Sequence, residues 1–264
     1  MTADPTAARP DRATVRLRVH LVPVGYDVAR VVSPAKFLRA DAVILFTEKY
    51  DRRAGSPLRR SVRNLTSGHI ECAVLECDIW DPSSVVDEVG NLITGAPQHE
   101  YFFNVSTGAR TAGVGGTIAS MFWPIRPYYQ PVAYVDSSVV SEVDAPVTGS
   151  PFFIPTFEAP VLGAAAVETL RHLASQPAPL SKRQLMAHMR AAGTIFARTT
   201  SPVSPQAFHA QTDVILRHLV AWGFVQTEGQ GKRKRIHVTE MGRGGARMFR
   251  HVIEPRPVPA VLRP

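Results

Sequence analysis

The sequence predicts an α/β fold with a mainly parallel sheet over residues 14–136. An α+β domain of the winged helix-turn-helix type is expected to follow over residues 161–252. Three observations predict this. Strand-like and helix-like segments alternate through the first half, the order that builds parallel sheets with right-handed crossovers. The second half runs helix, helix, helix, hairpin, helix, the order of a winged helix. The charge divides near the same place: residues 1–150 hold 15 Lys and Arg against 16 Asp and Glu, whereas residues 151–264 hold 15 against 6. That basic excess makes nucleic acid a candidate partner of the second half. Residues 1–13, 137–160 and 253–264 read as a disordered arm, a linker and a disordered tail.

In the first half, Val15, Leu17, Val19 and Leu21 alternate with Arg16, Arg18 and His20, a strand with one polar face. Pro23 to Asp27 breaks it, and Asp27 can cap a helix running towards Leu38, with Pro34 as an interruption or a restart. Asp41 to Thr47 is a more buried strand. Pro57 to Leu65 is a basic helical segment, and His69 to Cys77 is a third strand. Asp81-Pro82 is a cap followed by a first-turn proline, opening a helix with Val85, Val86, Val89, Leu92 and Ile93 on its inner side. Tyr101 to Val105 is aromatic or β-branched apart from Asn104, as a central strand would be. Ala112 to Gly116 is small enough for the next helix to lie close to the sheet. Residues 125–135 contain Pro127 and Pro131 and can form an edge strand at best. In the linker, Phe152, Phe153 and Phe157 are expected to pack against a neighbour.

In the second half, Leu162, Ala166, Leu170 and Leu173 stand at helical spacing. Ser181 and Gln184 form a capping-box pattern. Ser204-Pro205 opens a third helix to about Trp222, with Phe208, Ile215, Leu219 and Trp222 on one face and Gln206, His209, Asp213 and Arg217 on the other. Residues 224–238 read as a hairpin whose tip carries Lys232, Arg233, Lys234 and Arg235, and Thr239 caps a last helix. Four consecutive cations at such a tip favour DNA over a merely solvated charge run. Gln206 and His209 would enter the major groove, the tip would meet the backbone or minor groove, and Arg217 would contact backbone.

Composition excludes some classes. Hydrophobic residues make up 45% and charged residues 20% of 264, ordinary for a soluble chain. No apolar run approaches the ~20 residues of a membrane helix, and residues 1–12 hold Asp4 and Asp11 without the apolar block of a secretory signal. Cys72 and Cys77, at odd spacing in one strand, point to opposite faces. That argues against a mutual disulfide or a shared metal and for the reducing cytoplasm. No membrane partner, cofactor or metal is expected, and no Ser–His–Asp arrangement marks a catalytic centre.

In a parallel sheet, ligands sit outside the carboxyl ends of the strands. Two turns qualify: Pro23 to Asp27 after the first strand, and Ser106-Thr107-Gly108 to Arg110 after the fourth. If both strands are central, the turns are neighbours and form one polar cradle. Backbone N–H groups at the following helix would favour phosphate there, and Arg110 would add a bidentate donor. Ser106 and Thr107 as ordinary caps are the plainer alternative. The stretch is no Walker loop, because Val114 stands where Lys is required, and no dinucleotide fingerprint, because Gly108-x-x-x-x-Gly113 lacks the G-x-G opening.

Val19-His-Leu-Val-Pro-Val-Gly-Tyr-Asp27, Asn104-Val-Ser-Thr-Gly-Ala-Arg110 and Pro127-Tyr-Tyr129 together resemble the CARF domain, the CRISPR-associated Rossmann fold, and above all archaeal CARF proteins with a C-terminal winged helix. The resemblance implies a Rossmann-like sheet and a homodimer whose two-fold axis carries a pocket for a cyclic oligoadenylate effector. Ligand binding would then modulate contact of the winged helices with double-stranded DNA. It carries ligand contact over to Val24, Gly25, Tyr26, Ser106, Thr107, Gly108 and Arg110. The Lys common in the family survives here only as a cation at Arg110. The alternatives are a metal-independent ring nuclease, with Ser106 or Thr107 orienting phosphate and Arg110 stabilising charge, and a nucleotide-binding interaction module that does not bind duplex DNA.

Overall fold

The computed structural model describes residues 15–132, 147–191, 193, 204–229 and 234–263. The arm expected at residues 1–13 lies outside them. Five parallel strands, β1 (Arg18–Pro23), β2 (Ala42–Thr47), β3 (Glu71–Glu76), β4 (Glu100–Asn104) and β5 (Ile125–Tyr129), are joined by β6 (Phe152–Phe153), which runs antiparallel to β5. Their order is β3-β2-β1-β4-β5-β6. The chain winds outward from β1 to β3 and then returns to β4 on the other side of β1, so the direction of winding reverses between β1 and β4. This is a Rossmann-like sheet.

Helices cover both faces. α1 (Ala29–Phe37) and α2 (Pro57–Thr66) pack on the face of Val22, Val43 and Leu45. α3 (Pro82–Gly95) and α4 (Arg110–Phe122) pack on the face of Val19, Leu21, Ile44 and Phe46. α4 lies so close to the sheet that a Cβ on Gly116 would fall 2.1 Å from the Phe103 ring, which is why the small-residue run stands there. Asp81 caps α3 as expected, accepting from Ser83 N at 2.9 Å, and Ser56 caps α2, accepting from Arg59 N at 3.3 Å. Each orphan donor satisfied in this way contributes about 1 kcal/mol.

Four expectations are corrected. His20 does not lie on a solvated face: both faces of β1 are covered, and its imidazole is fully buried, stacked on Phe102 at 4.8 Å with Nδ1 3.1 Å from the Tyr128 hydroxyl. β5 is no edge strand, since β6 pairs on its far side; Pro127 accepts from Ile154 N there at 2.9 Å, and Tyr128 O accepts from Val105 N on the β4 side at 3.0 Å. Pro34 neither stops nor restarts α1, which runs through it. A proline leaves the carbonyl four residues earlier without its helical donor; here that carbonyl is Arg30 O, and the Asn104 side-chain amide donates to it at 2.8 Å. Phe157 is 70% exposed, whereas Phe152 and Phe153 enter β6 and pack against Tyr129 and Phe102.

The second domain comprises α5 (Ala164–Ser175), β7 (Leu180–Ser181), α6 (Lys182–Ala191), α7 (Pro205–Ala221), β8 (Val225–Glu228), β9 (Arg235–Val238) and α8 (Glu240–Met248). Its sheet is β7-β9-β8. The helix order and the β8–β9 hairpin are those of a winged helix. The capping box is present: Gln184 N donates to Ser181 Oγ at 3.3 Å, and Ser181 N to Gln184 Oε1 at 2.9 Å.

The two domains share one apolar core. Phe249, fully buried, packs against Phe122 at 5.0 Å and Trp123 at 6.2 Å. The tail expected to be disordered is instead a strap across the first domain. His251 N and Nδ1 donate to Asp87 Oδ1 at 2.6 and 2.9 Å, and Arg256 Nη1 donates to Asp87 Oδ2 at 2.7 Å. Burial alone would raise the Asp87 pKa; the bonds from His251 and Arg256 outweigh it and hold the carboxyl below its usual range. Further along, Leu262 is fully buried and its carbonyl lies 3.1 Å from His99 Nε2. Since Leu17 N donates to His99 Nδ1 at 3.3 Å, the His99 proton sits on Nε2 and is donated to Leu262.

Candidate functional site

The reversal of winding puts the β1–α1 turn and the β4–α4 turn side by side at the carboxyl edge of the sheet, where ligands sit in such folds. They touch. A Cβ on Gly25 would fall 2.7 Å from Gly108 N, and one on Gly108 would fall 2.5 Å from the Pro23 side chain. Gly108 has φ +76°, a conformation that glycine adopts without steric cost. The Thr107 hydroxyl donates to Pro23 O and closes the two turns on each other.

Ser106 and Thr107 are both buried, and their hydroxyls are committed within the protein. Ser106 donates to Asn104 Oδ1 through its hydroxyl and, at 2.9 Å, through its backbone N–H. Asn104 therefore sits at a junction: its oxygen holds the β4–α4 turn and its amide holds α1 through Arg30 O. These side chains build the cradle, and its open surface is made by other groups. Among the described residues no acceptor lies on the backbone N–H groups of Gly108, Ala109 and Arg110, and these stand at the positive end of α4. Arg110 is exposed, and no described carboxylate pairs with it. Val24 and Gly25 are half-buried, and Tyr26 is 89% exposed beside them.

Arg30 and Tyr129 belong to the same rim, and neither was among the residues to which sequence reasoning assigned ligand contact. Arg30, in the first turn of α1, lays its guanidinium over the Tyr129 ring at 5.2 Å, an attractive cation–π geometry. Its position one turn after Asp27 was the available signal. Two cations, two helix N-termini and a set of free N–H groups give this edge a positive potential. The buried His20 below it is pushed down to about 3, first by burial and then by Arg18, and stays neutral. Among the described residues no group of His, Cys, Asp or Glu could hold a metal, and no helix is long and apolar enough to cross a membrane. Cys72 and Cys77 are free thiols, both pushed up to about 12, chiefly by burial.

In the winged helix, Gln206, His209 and Arg217 are exposed on α7, whose N-cap Ser204 accepts from Ala207 N at 3.1 Å. Lys234 and Arg235 are exposed at the start of β9; Lys232 and Arg233 lie outside the described residues. A groove of about 410 Å³ between α7 and the hairpin is lined by Arg217, Lys234 and Lys182. Lys182, absent from the sequence expectation, pairs with Asp213 at 2.6 Å. Arg217 and Lys234 are thus brought to one surface, while Gln206 and His209 stand in the first turns of the same helix.

Two family models match the chain. Residues 18–133, from β1 to just beyond β5, match the model described as "HFX_2341_N:-like, N-terminal", and residues 165–250 match the DUF6293 C-terminal winged helix domain. No curated protein matches. Similar solved structures include protein VC1899 from Vibrio cholerae, 14% identical over 89% of this chain and 66% of that one, with a TM-score of 0.35. Another is Enterococcus italicus Csm6 bound to cyclic hexa-2'-fluoro-hexa-dAMP, 12% identical over 80% and 55%, TM-score 0.39. A third is Can2 from Sulfobacillus thermosulfidooxidans in complex with cyclic tetra-adenylate, 12% identical over 89% and 65%, TM-score 0.37. The chain spans less than two thirds of the length of each of these three, and likeness at these scores does not bear on function. The chain thus joins a segment similar to an HFX_2341_N-like N-terminal domain to a segment similar to the DUF6293 C-terminal winged helix domain.

Proposed function

We propose that the protein is a ligand-responsive DNA-binding regulator. Its first domain acts as a CARF-type sensor that binds a cyclic oligoadenylate or a related nucleotide, as a homodimer, and its winged helix binds duplex DNA. The carrying observation is the contact of the two turns at the point where winding reverses, with free N–H groups and Arg110 facing outward. A ligand with internal two-fold symmetry suits a two-fold dimer in which each subunit offers the same turns. Phosphates would take the N–H groups of Gly108 to Arg110, and Arg110 and Arg30 would supply charge.

A route to the DNA-binding half exists in the packing. α4 begins at the site, and the Thr111 hydroxyl donates to Ile79 O at 2.9 Å. Two residues on, Asp81 caps α3 and pairs with Arg247 of α8 at 3.1 Å. Ordering α4's first turn therefore acts on the loop that meets the winged helix. The ring-nuclease alternative draws no support from the geometry, since the Ser106 and Thr107 hydroxyls are already donating elsewhere.

The test is calorimetry of the full chain with cyclic tetra- and hexa-adenylate, alongside Arg110→Ala. Loss of a charge-assisted contact costs about 1.5–3 kcal/mol, roughly 10- to 150-fold in Kd. Absence of binding by the unaltered protein, or unchanged affinity in Arg110→Ala, would remove the site from these turns. Light scattering at micromolar concentration checks the dimer, and a monomer mass would count against the symmetric arrangement.

A further inference from the structure

We propose that Trp80 is a base-stacking residue of this site, fixing its specificity for a nucleotide with an exposed nucleobase; the proposal rests on the ligand reading above. Trp80 lies in the loop after β3, at the same carboxyl edge of the sheet as the two turns, and is 61% exposed. A single exposed apolar side chain needs no explanation, but this ring is exposed and held. Its backbone N–H donates to Asp78 Oδ1 at 2.9 Å, and its indole Nε1–H donates to Glu48 Oε2 at 2.9 Å. An indole has only one donor. With that donor used, what the ring presents outward is its π surface, and both ends of the residue are fixed before any ligand arrives.

The position relative to Arg110 carries the inference. The Thr111 hydroxyl donates to Ile79 O; Arg110 and Trp80 are the chain neighbours of the two ends of that one hydrogen bond. A cation without a described partner and a fixed aromatic face are therefore carried by residues flanking one hydrogen bond between the two loops. That is the pair a nucleotide requires, phosphate on the guanidinium and base on the indole. Among the described residues no other ring packs on Trp80. The next residue, Asp81, is the one paired with Arg247, so a base settled on Trp80 rests directly on the loop that meets α8.

The experiment compares the full-length protein with Trp80→Ala and Trp80→Phe, using cyclic tetra-adenylate and cyclic hexa-adenylate as probes. Stacking of one base on an aromatic side chain is worth roughly 5- to 150-fold in affinity by alanine substitution. Trp80→Ala is expected to lose that much for the probe that the unaltered protein binds, and Trp80→Phe to recover most of it. Tryptophan fluorescence is expected to be quenched on binding in the unaltered protein and not in Trp80→Phe. If the unaltered protein binds and Trp80→Ala binds equally well, Trp80 is no part of the site and the ligand reading survives. If the unaltered protein binds neither probe, that reading falls and this proposal with it. If Trp80→Ala sediments as a monomer where the unaltered protein is a dimer, Trp80 is a subunit contact and the stacking role is overturned.

Discussion

The contact between the two turns can be measured through its glycines. In Gly108→Ala, two costs add. The residue has φ +76°, where a side chain costs about 1–2 kcal/mol. The new Cβ would lie 2.5 Å from the Pro23 side chain and 3.1 Å from its carbonyl carbon and oxygen, an overpacking worth about 1–3 kcal/mol. The expected loss is about 2–5 kcal/mol in urea unfolding, together with loss of nucleotide binding as the turns are pried apart. Two other glycines separate the contributions. Gly149 has φ +66° and nothing within 4 Å of its Cβ position, so Gly149→Ala should show the conformational cost alone. Gly25 has no positive φ, but its Cβ would lie 2.7 Å from Gly108 N, so Gly25→Ala should show the steric cost alone and should also impair binding. If Gly108→Ala cost no more than Gly149→Ala and bound nucleotide normally, the turns would not form one cradle and the site would lose its basis.

Three other outcomes are expected. Asp87→Ala leaves His251 and Arg256 without their buried acceptor; breaking such a pair costs about 3–5 kcal/mol. Hydrogen exchange over residues 250–263 should accelerate, and unchanged protection would mean that the remaining contacts, the buried Phe249 and Leu262 and the bonds of Arg256 to Asn91 and Glu88, hold the strap without Asp87. His20 has a folded pKa near 3 against 6.5 ordinarily, so the unfolded chain binds its proton first. Stability from this group is complete above about pH 6.5 and is lost as pH falls towards 3, at up to about 1.4 kcal/mol per pH unit. His20→Leu should flatten that slope in urea titrations between pH 7 and 5, and an unaltered slope would refute the assignment to His20. For DNA, Lys234→Ala should lower affinity for all sequences and reduce the salt slope by about one, while Gln206→Ala should lose about 1–3 kcal/mol of discrimination at one base pair; binding of specific and scrambled duplexes at two salt concentrations distinguishes them, and reversed behaviour would exchange the roles of helix and hairpin.

Much of this protein was legible one segment at a time. The period-2 and period-3.6 patterns located the strands and helices, and Asp81-Pro82, Ser204-Pro205 and the Ser181–Gln184 pair marked helix starts that the hydrogen bonds now account for. The odd spacing of Cys72 and Cys77 placed them against opposite layers, and they do pack in different clusters. These features depend on a few neighbouring residues, so a local pattern is enough to reveal them.

Other features depend on which segments meet. The alternation in β1 read as one polar face because a strand's pattern does not say how many layers cover it; two helical layers bury His20. Pro127 read as an edge residue because its missing donor was visible and the two-residue β6 on its far side was not. The hydroxyls of Ser106 and Thr107 read as ligand groups until Asn104 and Pro23 O came within reach of them. Asp87 and His251, 164 residues apart, carried no mutual signal at all, so the tail read as free. By itself the sequence determined the elements, their order, the split in charge and the positions of the two turns after β1 and β4, because these follow from local propensity and composition. Only the tertiary structure decided that the turns touch, which of their polar groups remain free, and that the winged helix is strapped to the first domain, because those outcomes turn on strand order and on pairings between residues distant in the chain.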